Sequence, residues 1–212
     1  MKKAFAYLSV ASVMFLASCG NTEEAPVEET VEPVVATYTV DTEASTLAWT
    51  GSKTYAGYGH SGTLAFSEGS IETTDGAITS ATFTVDLNTM QVTDSMPEEK
   101  IGYLIGHLKS PDFFAVDSLG NTAKFDVTSV ENGVMKGSMT VMGLSKDVEV
   151  AVATDMSDST MMTISGDFEV DMAQFGVLNL QQPESVEELD KEAKQNVYDP
   201  AVKFSVNLTA KK

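Results

Sequence analysis

Hydrophobic and polar positions alternate along most of this chain. Phe83, Val85 and Leu87 are separated by Thr84 and Asp86. Val148, Val150 and Val152 enclose Glu149 and Ala151, and Val202, Phe204, Val206 and Leu208 are separated by Lys203, Ser205 and Asn207. Weaker period-two patterns cover Tyr38–Thr42, Leu47–Lys53, Gly62–Phe66, Lys124–Val130, Val134–Met142 and Met161–Val170. A two-residue period places one apolar face on each strand. With Glu68-Gly69, Asp75-Gly76 and Asn132-Gly133 as turn signals, the pattern predicts an all-β antiparallel sandwich or barrel.

Two segments follow a helical period instead. Ser95 and Glu98 stand at capping-box spacing with Pro97 between them, and Ile101, Leu104, Ile105 and Leu108 recur on one face. This predicts a helix over Pro97–Leu108, a one-face lid. Ser110-Pro111 then opens a turn into Phe113-Phe114, where alternation lets only one ring point fully inward. Ser185–Asn196 has a second capping-box spacing, Ser185 to Glu188. Its i,i+4 charge pairs Glu187–Lys191 and Asp190–Lys194 predict an exposed surface helix.

The N-terminus reads as a targeting segment. Lys2 and Lys3 precede an apolar run from Ala4 to Ala17, which is short for a membrane span and suits a signal peptide. It ends in Leu16-Ala17-Ser18-Cys19, a sequence that resembles the lipobox of bacterial lipoproteins. We therefore expect a lipoprotein signal peptide over 1–18. An acylated Cys19 and a flexible acidic tether would occupy 19–36, and the folded domain 37–212. The tether carries Pro26 and Pro33 and no aromatic residue, and its reach is roughly 20–25 Å. Acyl anchoring at Cys19 makes the membrane a partner. The expected location is the cell envelope, at the outer membrane facing the periplasm or the cell surface. Cys19 is the only cysteine, so the domain has no disulfide and no thiolate chemistry.

Charge narrows the function further. The formal net charge is −18, and every basic residue is a lysine. A surface of this sign repels phosphate backbones, so nucleic acid is not a partner.

The motifs that suggest catalysis fail on context. Gly57, Gly59 and Gly62 match G-x-G-x-x-G, yet Thr63–Phe66 continues as a strand where a dinucleotide site requires a helix. His60 and His107 are the only histidines. Gly143-Leu144-Ser145-Lys146-Asp147 departs from a nucleophile elbow at its last position, and no S-x-x-K pair is present. Two histidines without a free cysteine argue against zinc, while a carboxylate-rich calcium site stays open. The expectation is a non-enzyme with no cofactor and no assigned metal. Met139, Met142, Met161 and Met162, on predicted strands, are either core filling or a compliant cavity wall.

Several motifs in order are similar to the YceI-like lipid/polyisoprenoid-binding family, in its lipoprotein-anchored branch. They are Trp49-Thr50-Gly51-Ser52-Lys53, Gly59-His60-Ser61-Gly62, Gly106-His107-Leu108-Lys109-Ser110-Pro111-Asp112-Phe113-Phe114 and Ala123-Lys124-Phe125. They continue with Gly137-Ser138-Met139-Thr140-Val141-Met142-Gly143-Leu144-Ser145-Lys146-Asp147-Val148 and Met172-Ala173-Gln174-Phe175-Gly176-Val177. The similarity runs from about Tyr38 to Leu208, and the Asn179–Pro200 stretch is longer than the family pattern.

The resemblance implies an eight-stranded antiparallel lipocalin-like barrel with a short helical insertion near one opening. It implies an apolar lipid or isoprenoid ligand (polyisoprenoid, quinone or fatty-acid-like) held in the barrel. The candidate wall is Trp49, Phe66, Phe83, Val85, Leu104, Leu108, Phe113, Phe114, Phe125, Met139, Phe168, Phe175 and Phe204, with His60, His107 and Lys53 as polar rim. A homodimer is compatible with this reading. The alternative is a structural or interaction lipoprotein whose barrel is filled by its own side chains, and a hydrolase using His60 or His107 is the weakest reading.

Overall fold

The computed structural model describes residues 32–212; the expected signal peptide, Cys19 and most of the tether lie outside them. Ten antiparallel strands form one sheet, and the fold is mostly β and barrel-like. The strands are β1 (Val35–Val40), β2 (Thr46–Ser52), β3 (Gly59–Thr74), β4 (Ala77–Val92), β5 (Thr122–Glu131), β6 (Val134–Val141), β7 (Leu144–Ala151), β8 (Ala153–Asp158), β9 (Met161–Asp171) and β10 (Ala201–Lys211). Their lateral order is β7-β6-β5-β4-β3-β1-β10-β9-β8.

Two features set the strand count above the expected eight. β1 and β2 share one lateral position between β3 and β10, interrupted at Asp41–Ser45. β7 and β8, the two ends of the path, are consecutive in the chain and separated by Val152 alone. Val152 donates its N–H to Gly133 O at 2.7 Å. β7 pairs with β6 and β8 with β9, so this bent run closes the sheet upon itself. Closure removes the free edges that would otherwise template aggregation.

The hairpins Asp75-Gly76 and Asn132-Gly133 form as the sequence predicts, with positive φ at both central residues. Glu68-Gly69, expected as a turn, lies inside the sixteen-residue β3 beside an irregularity in register. Glycine is needed there for close approach: a Cβ at Gly69 would fall 2.5 Å from Val40 Cγ2. Met142 leaves its expected strand and occupies a turn with Gly143, at φ +51° and +75°. Strand β1 begins at Val35, two residues inside the tether as first delimited.

The helix α1 spans Glu98–Lys109. Its N-cap is Pro97 and no side chain caps it, so the Ser95–Glu98 capping box does not form. The acidic Glu98 and Glu99 in its first turn, and Lys109 in its last, suit the helix dipole. The expected helix over Ser185–Asn196 shrinks to one turn, α3 (Lys191–Lys194), with α2 (Val116–Leu119) as the third short helix. Its cap is Asp190, whose carboxylate accepts the Ala193 N–H at 2.8 Å. Without an apolar face to bury, the charge pairs alone do not offset the cost of helix nucleation. No helix among the described residues is long and apolar enough to cross a membrane.

Strand directions sort the loops into two ends. Residues 53–58, 93–121, 142–143 and 172–200 gather at one end; the turns at 75–76, 132–133 and 159–160 lie at the other, with the start of β1 and the end of β10. At this second end a hydrogen-bonded row runs Tyr38, Ile71, Ala81, Val127 across β1, β3, β4 and β5. Val40, Ala210 and Met162 form a neighbouring row. All seven are buried, and the Tyr38 hydroxyl donates to Ser159 O at 3.1 Å. This end is solid.

Candidate functional site: an apolar cavity with a polar mouth

Above that floor the barrel is hollow. The cavity measures about 320 Å³, within the usual range for small-molecule sites. Its wall is built by inward positions of the strands, since every second residue must face the lumen. Phe83, Phe125 and Met139 form one row across β4, β5 and β6, and Phe66, Val85 and Ala123 another across β3, β4 and β5. On the far side Phe168 and Phe204 are direct cross-strand partners, stacked at 5.5 Å. The rings lie against the wall in pairs, and Phe66 meets Phe83 edge-on at 6.5 Å.

Of the residues the sequence nominates for the wall, Trp49, Phe66, Phe83, Val85, Leu104, Leu108, Phe113, Phe114, Phe125, Met139, Phe168 and Phe204 all border this cavity. Phe175 does not. It is 0% exposed in a short 3-10 turn, Met172–Phe175, and packs in the core away from the lumen. His60, His107 and Lys53 also border the cavity. The methionines divide: Met139 is on the wall, Met162 is in the solid end, and Met161 is exposed.

Trp49 shows why one glycine of the G-x-G-x-x-G match is required. Its indole lies over Gly62, its cross-strand partner, where a Cβ would come 2.5 Å from the ring and 1.8 Å from Gln91 O. The glycines belong to a loop and strand β3, and no helix follows them.

Two insertions form the mouth. Helix α1 presents Leu104, His107 and Leu108, and none of its residues is fully buried, as befits a cover over a cavity. Phe113 is 4% exposed and touches the rings of His107 at 5.0 Å and Tyr198 at 5.3 Å; Phe114 is only half-buried. Both rings border the cavity. The second insertion, 172–200, contributes Leu180, Tyr198 and Asp199. It is stitched to the first by Asn179 N–H donating to Asp112 O (3.0 Å), and to the end of β2 by Thr54 N–H to Val197 O (2.9 Å) and Asp199 N–H to Ser52 O (2.9 Å). Sequence reasoning missed these residues because the segment has no periodicity; Tyr198 as an isolated aromatic beside Pro200 is the only signal it offers.

Two polar groups at the mouth, Lys53 and His60, are tied to protein partners. Lys53 Nζ donates to Asn196 Oδ1 at 3.1 Å and sits over the rings of Tyr198 (5.0 Å) and Tyr58 (5.6 Å). His60 Nδ1 is 2.6 Å from Asp94 Oδ2, and Asp94 Oδ1 accepts the Ser61 N–H at 3.1 Å. Ser61 itself alternates to the outer face, where its hydroxyl meets Thr50 Oγ1 at 3.2 Å, so it is not a nucleophile for His60. Among the described residues no three His, Cys, Asp or Glu gather as a metal site.

The YceI-like domain model matches residues 38–210. The chain belongs to the YceI-like family. The YceI-like domain is similar in fold to the crystal structure of Burkholderia cenocepacia BcnA. That likeness has a TM-score of 0.60 and 15% identity, and covers 80% of this chain and 98% of that one. It is also similar to a polyisoprenoid binding domain from Saccharophagus degradans implicated in plant cell wall breakdown, with a TM-score of 0.54 and 17% identity. Here the coverage is 82% of this chain and 97% of that one. At these identities the likeness shows the fold alone. No curated protein matches the chain by sequence.

Proposed function

We propose that this domain is a non-catalytic carrier or sequestering protein for a long apolar ligand: a polyisoprenoid, quinone or fatty-acid-like lipid. The observation that carries the reading is the hollow upper barrel, walled by aromatic and aliphatic side chains and opening between two insertions. An apolar lumen left empty forgoes the dispersion contacts of its lining, so an apolar guest stabilises the folded state. One isoprene unit, fully buried, contributes at most roughly 3–4 kcal/mol, and a few such units reach about micromolar affinity after association costs. The polyisoprenoid-binding relative supports the same ligand class. A barrel filled throughout by its own side chains fits only the solid end, so the interaction-protein alternative is the weaker reading.

The finer parts of the proposal rest on sequence and topology. The β1–β2 and β7–β8 runs each act as one stave, which reads the ten strands as an eight-staved, lipocalin-like barrel. The lipobox-like Leu16-Ala17-Ser18-Cys19 supports acyl anchoring at Cys19 and a place in the cell envelope, at the outer membrane facing the periplasm or the surface. Native mass spectrometry of the purified protein, followed by organic extraction, tests the carrier reading. A co-purifying lipid bound one to one is expected. Protein that emerges ligand-free and takes up no added prenyl lipid overturns it.

A further inference from the structure

The exposed apolar side chains of this barrel are confined to its two ends. Nine large hydrophobic residues stand exposed among the described residues, and none lies in the middle of a strand. Six belong to the mouth end: Tyr55, Tyr58, Tyr103, Leu119, Leu144 and Leu178. They come from separate segments, namely the β2–β3 loop, α1, α2, the start of β7 and the 3-10 turn Leu178–Leu180. Tyr103 is the extreme case, 82% exposed on the helix that also supplies Leu104, His107 and Leu108 to the cavity. A single exposed apolar residue needs no explanation, but a set gathered at one opening marks an interaction surface. All three exposed tyrosines are here. Tyrosine joins an apolar body to a polar tip and suits the boundary between water and hydrocarbon.

Placement and charge indicate what covers this end. The outer wall between the ends offers no such residue, so contact is end-on. The cavity opens among these residues, and a long apolar ligand leaving it into water would lose the burial of its whole chain. The surface met at the mouth must therefore supply an apolar phase. Residues 53–58, 93–121, 142–143 and 172–200 carry eleven carboxylates against five lysines. A second copy set mouth to mouth would oppose these carboxylates and seal both cavities. Anionic lipid is repelled for the same electrostatic reason. A zwitterionic bilayer meets neither obstacle.

We propose that the mouth end docks on a zwitterionic lipid bilayer, with its exposed tyrosines and leucines at the lipid–water boundary, so that ligand passes between bilayer and cavity without crossing water. This inference rests on the carrier reading above and deepens it.

The full chain carrying Cys19→Ala has no other cysteine, so a polarity-sensitive fluorophore can be attached at Tyr103→Cys or, at the solid end, at Thr160→Cys. Phosphatidylcholine vesicles with spin-labelled acyl chains should shift and quench the first probe and leave the second unchanged. Attachment through the N-terminal segment, which joins the barrel at the solid end, would do the reverse. Phosphatidylglycerol vesicles should bind more weakly, and added salt should strengthen that binding. A probe at Leu144→Cys should behave like the one at position 103. With Tyr55→Ser, Tyr103→Ser and Leu178→Ser added, it should need roughly tenfold more lipid for the same quenching. None of these three residues borders the cavity, so the melting temperature and the affinity for geranylgeraniol added from ethanol, read through Trp49, should hold. Four results overturn the docking surface and leave the carrier reading standing on geranylgeraniol binding: quenching at neither end, equal quenching at both, tighter binding to phosphatidylglycerol at low salt, or a probe shift that follows protein concentration without vesicles, as a second copy would give. Quenching at position 103 in a protein that takes up no geranylgeraniol overturns the carrier reading and leaves the docking surface.

Discussion

The solid and hollow ends of this barrel are made from the same strands with the same alternation, yet they fill their interiors differently. In the solid end the Tyr38–Ile71–Ala81–Val127 row meets Met162, and the fixed Tyr38 hydroxyl holds its ring in place. In the hollow end the residues are larger, but the rings meet one another along the wall, Phe66 edge-on to Phe83 and Phe168 stacked on Phe204, and Gly51 and Ala123 add no bulk. Residue size does not decide which end is full; orientation across the lumen does. Two contrasts should then appear: truncation costs more stability at the floor, and enlargement is tolerated only above it.

The largest effect is expected for Ile71→Ala, at a floor residue that is 0% exposed. It should cost about 4 kcal/mol, since the packed surroundings collapse little around the deletion. A fall in melting temperature of order 10 °C, with ligand occupancy unchanged in the folded fraction, is the result to measure by thermal unfolding. Next come the two mouth rings. Phe113→Ala removes a ring buried against His107 and Tyr198 and should cost about 3 kcal/mol. Phe114→Ala, at a half-buried position, should leave the melting temperature nearly unchanged and weaken lipid binding by about 1–2 kcal/mol. Equal, sharp destabilisation by both, with binding intact, would show that the pair is ordinary core.

A matched enlargement divides the halves directly. Ala81→Leu overpacks the floor and should destabilise by about 1–3 kcal/mol. Ala123→Leu points into the cavity, so it should leave stability within about 0.5 kcal/mol and reduce ligand uptake. Equal destabilisation by the two would erase the distinction.

The smallest effect is acid sensitivity, and two of its three carboxylates, Asp41 and Asp158, lie at the solid end. The Lys211 ammonium lowers the Asp41 carboxyl below its usual range, and Asp41 in turn raises Lys211. A hydrogen bond from Lys124 lowers Asp126, and the Thr160 backbone N–H lowers Asp158. A depressed carboxyl contributes stability that is present above its unfolded value, about 4, and is lost as pH falls through the folded one. Asp158 is exposed and Asp41 and Asp126 are only half-buried, so the loss should be slight and sensitive to salt. Amide exchange should report loosening first near Asp41 and the 159–160 turn as the pH drops below about 4. Loosening that starts at the mouth would contradict this placement.

Much of the scaffold was legible before any coordinates. Strict alternation located β10 and the centre of β4, and Asp75-Gly76 and Asn132-Gly133 announced their hairpins through residues that accept positive φ. Met142-Gly143 was illegible, because a methionine at φ +51° gives no turn signal. Likewise β8 is short and polar, and the pairing of β1 and β2 in one lateral position depends on β3 and β10, which come from opposite ends of the chain. The His60–Asp94 contact joins residues 34 positions apart through the path of β3 and β4, a separation that no local pattern records.

By itself, then, the sequence determined which face of the alternating strands turns inward, because a period of two leaves no other choice in a half-buried sheet. It also determined the family and nominated the aromatic part of the wall, whereas aliphatic wall residues such as Leu64, Leu87, Val150 and Ile164 went unnamed. Only the tertiary structure decided that Phe175 leaves the wall, that residues 172–200 complete the mouth, and that one end is solid while the other is open. Those outcomes depend on which side chains meet at the same height around a closed circumference, and height is set by register between strands far apart in the chain.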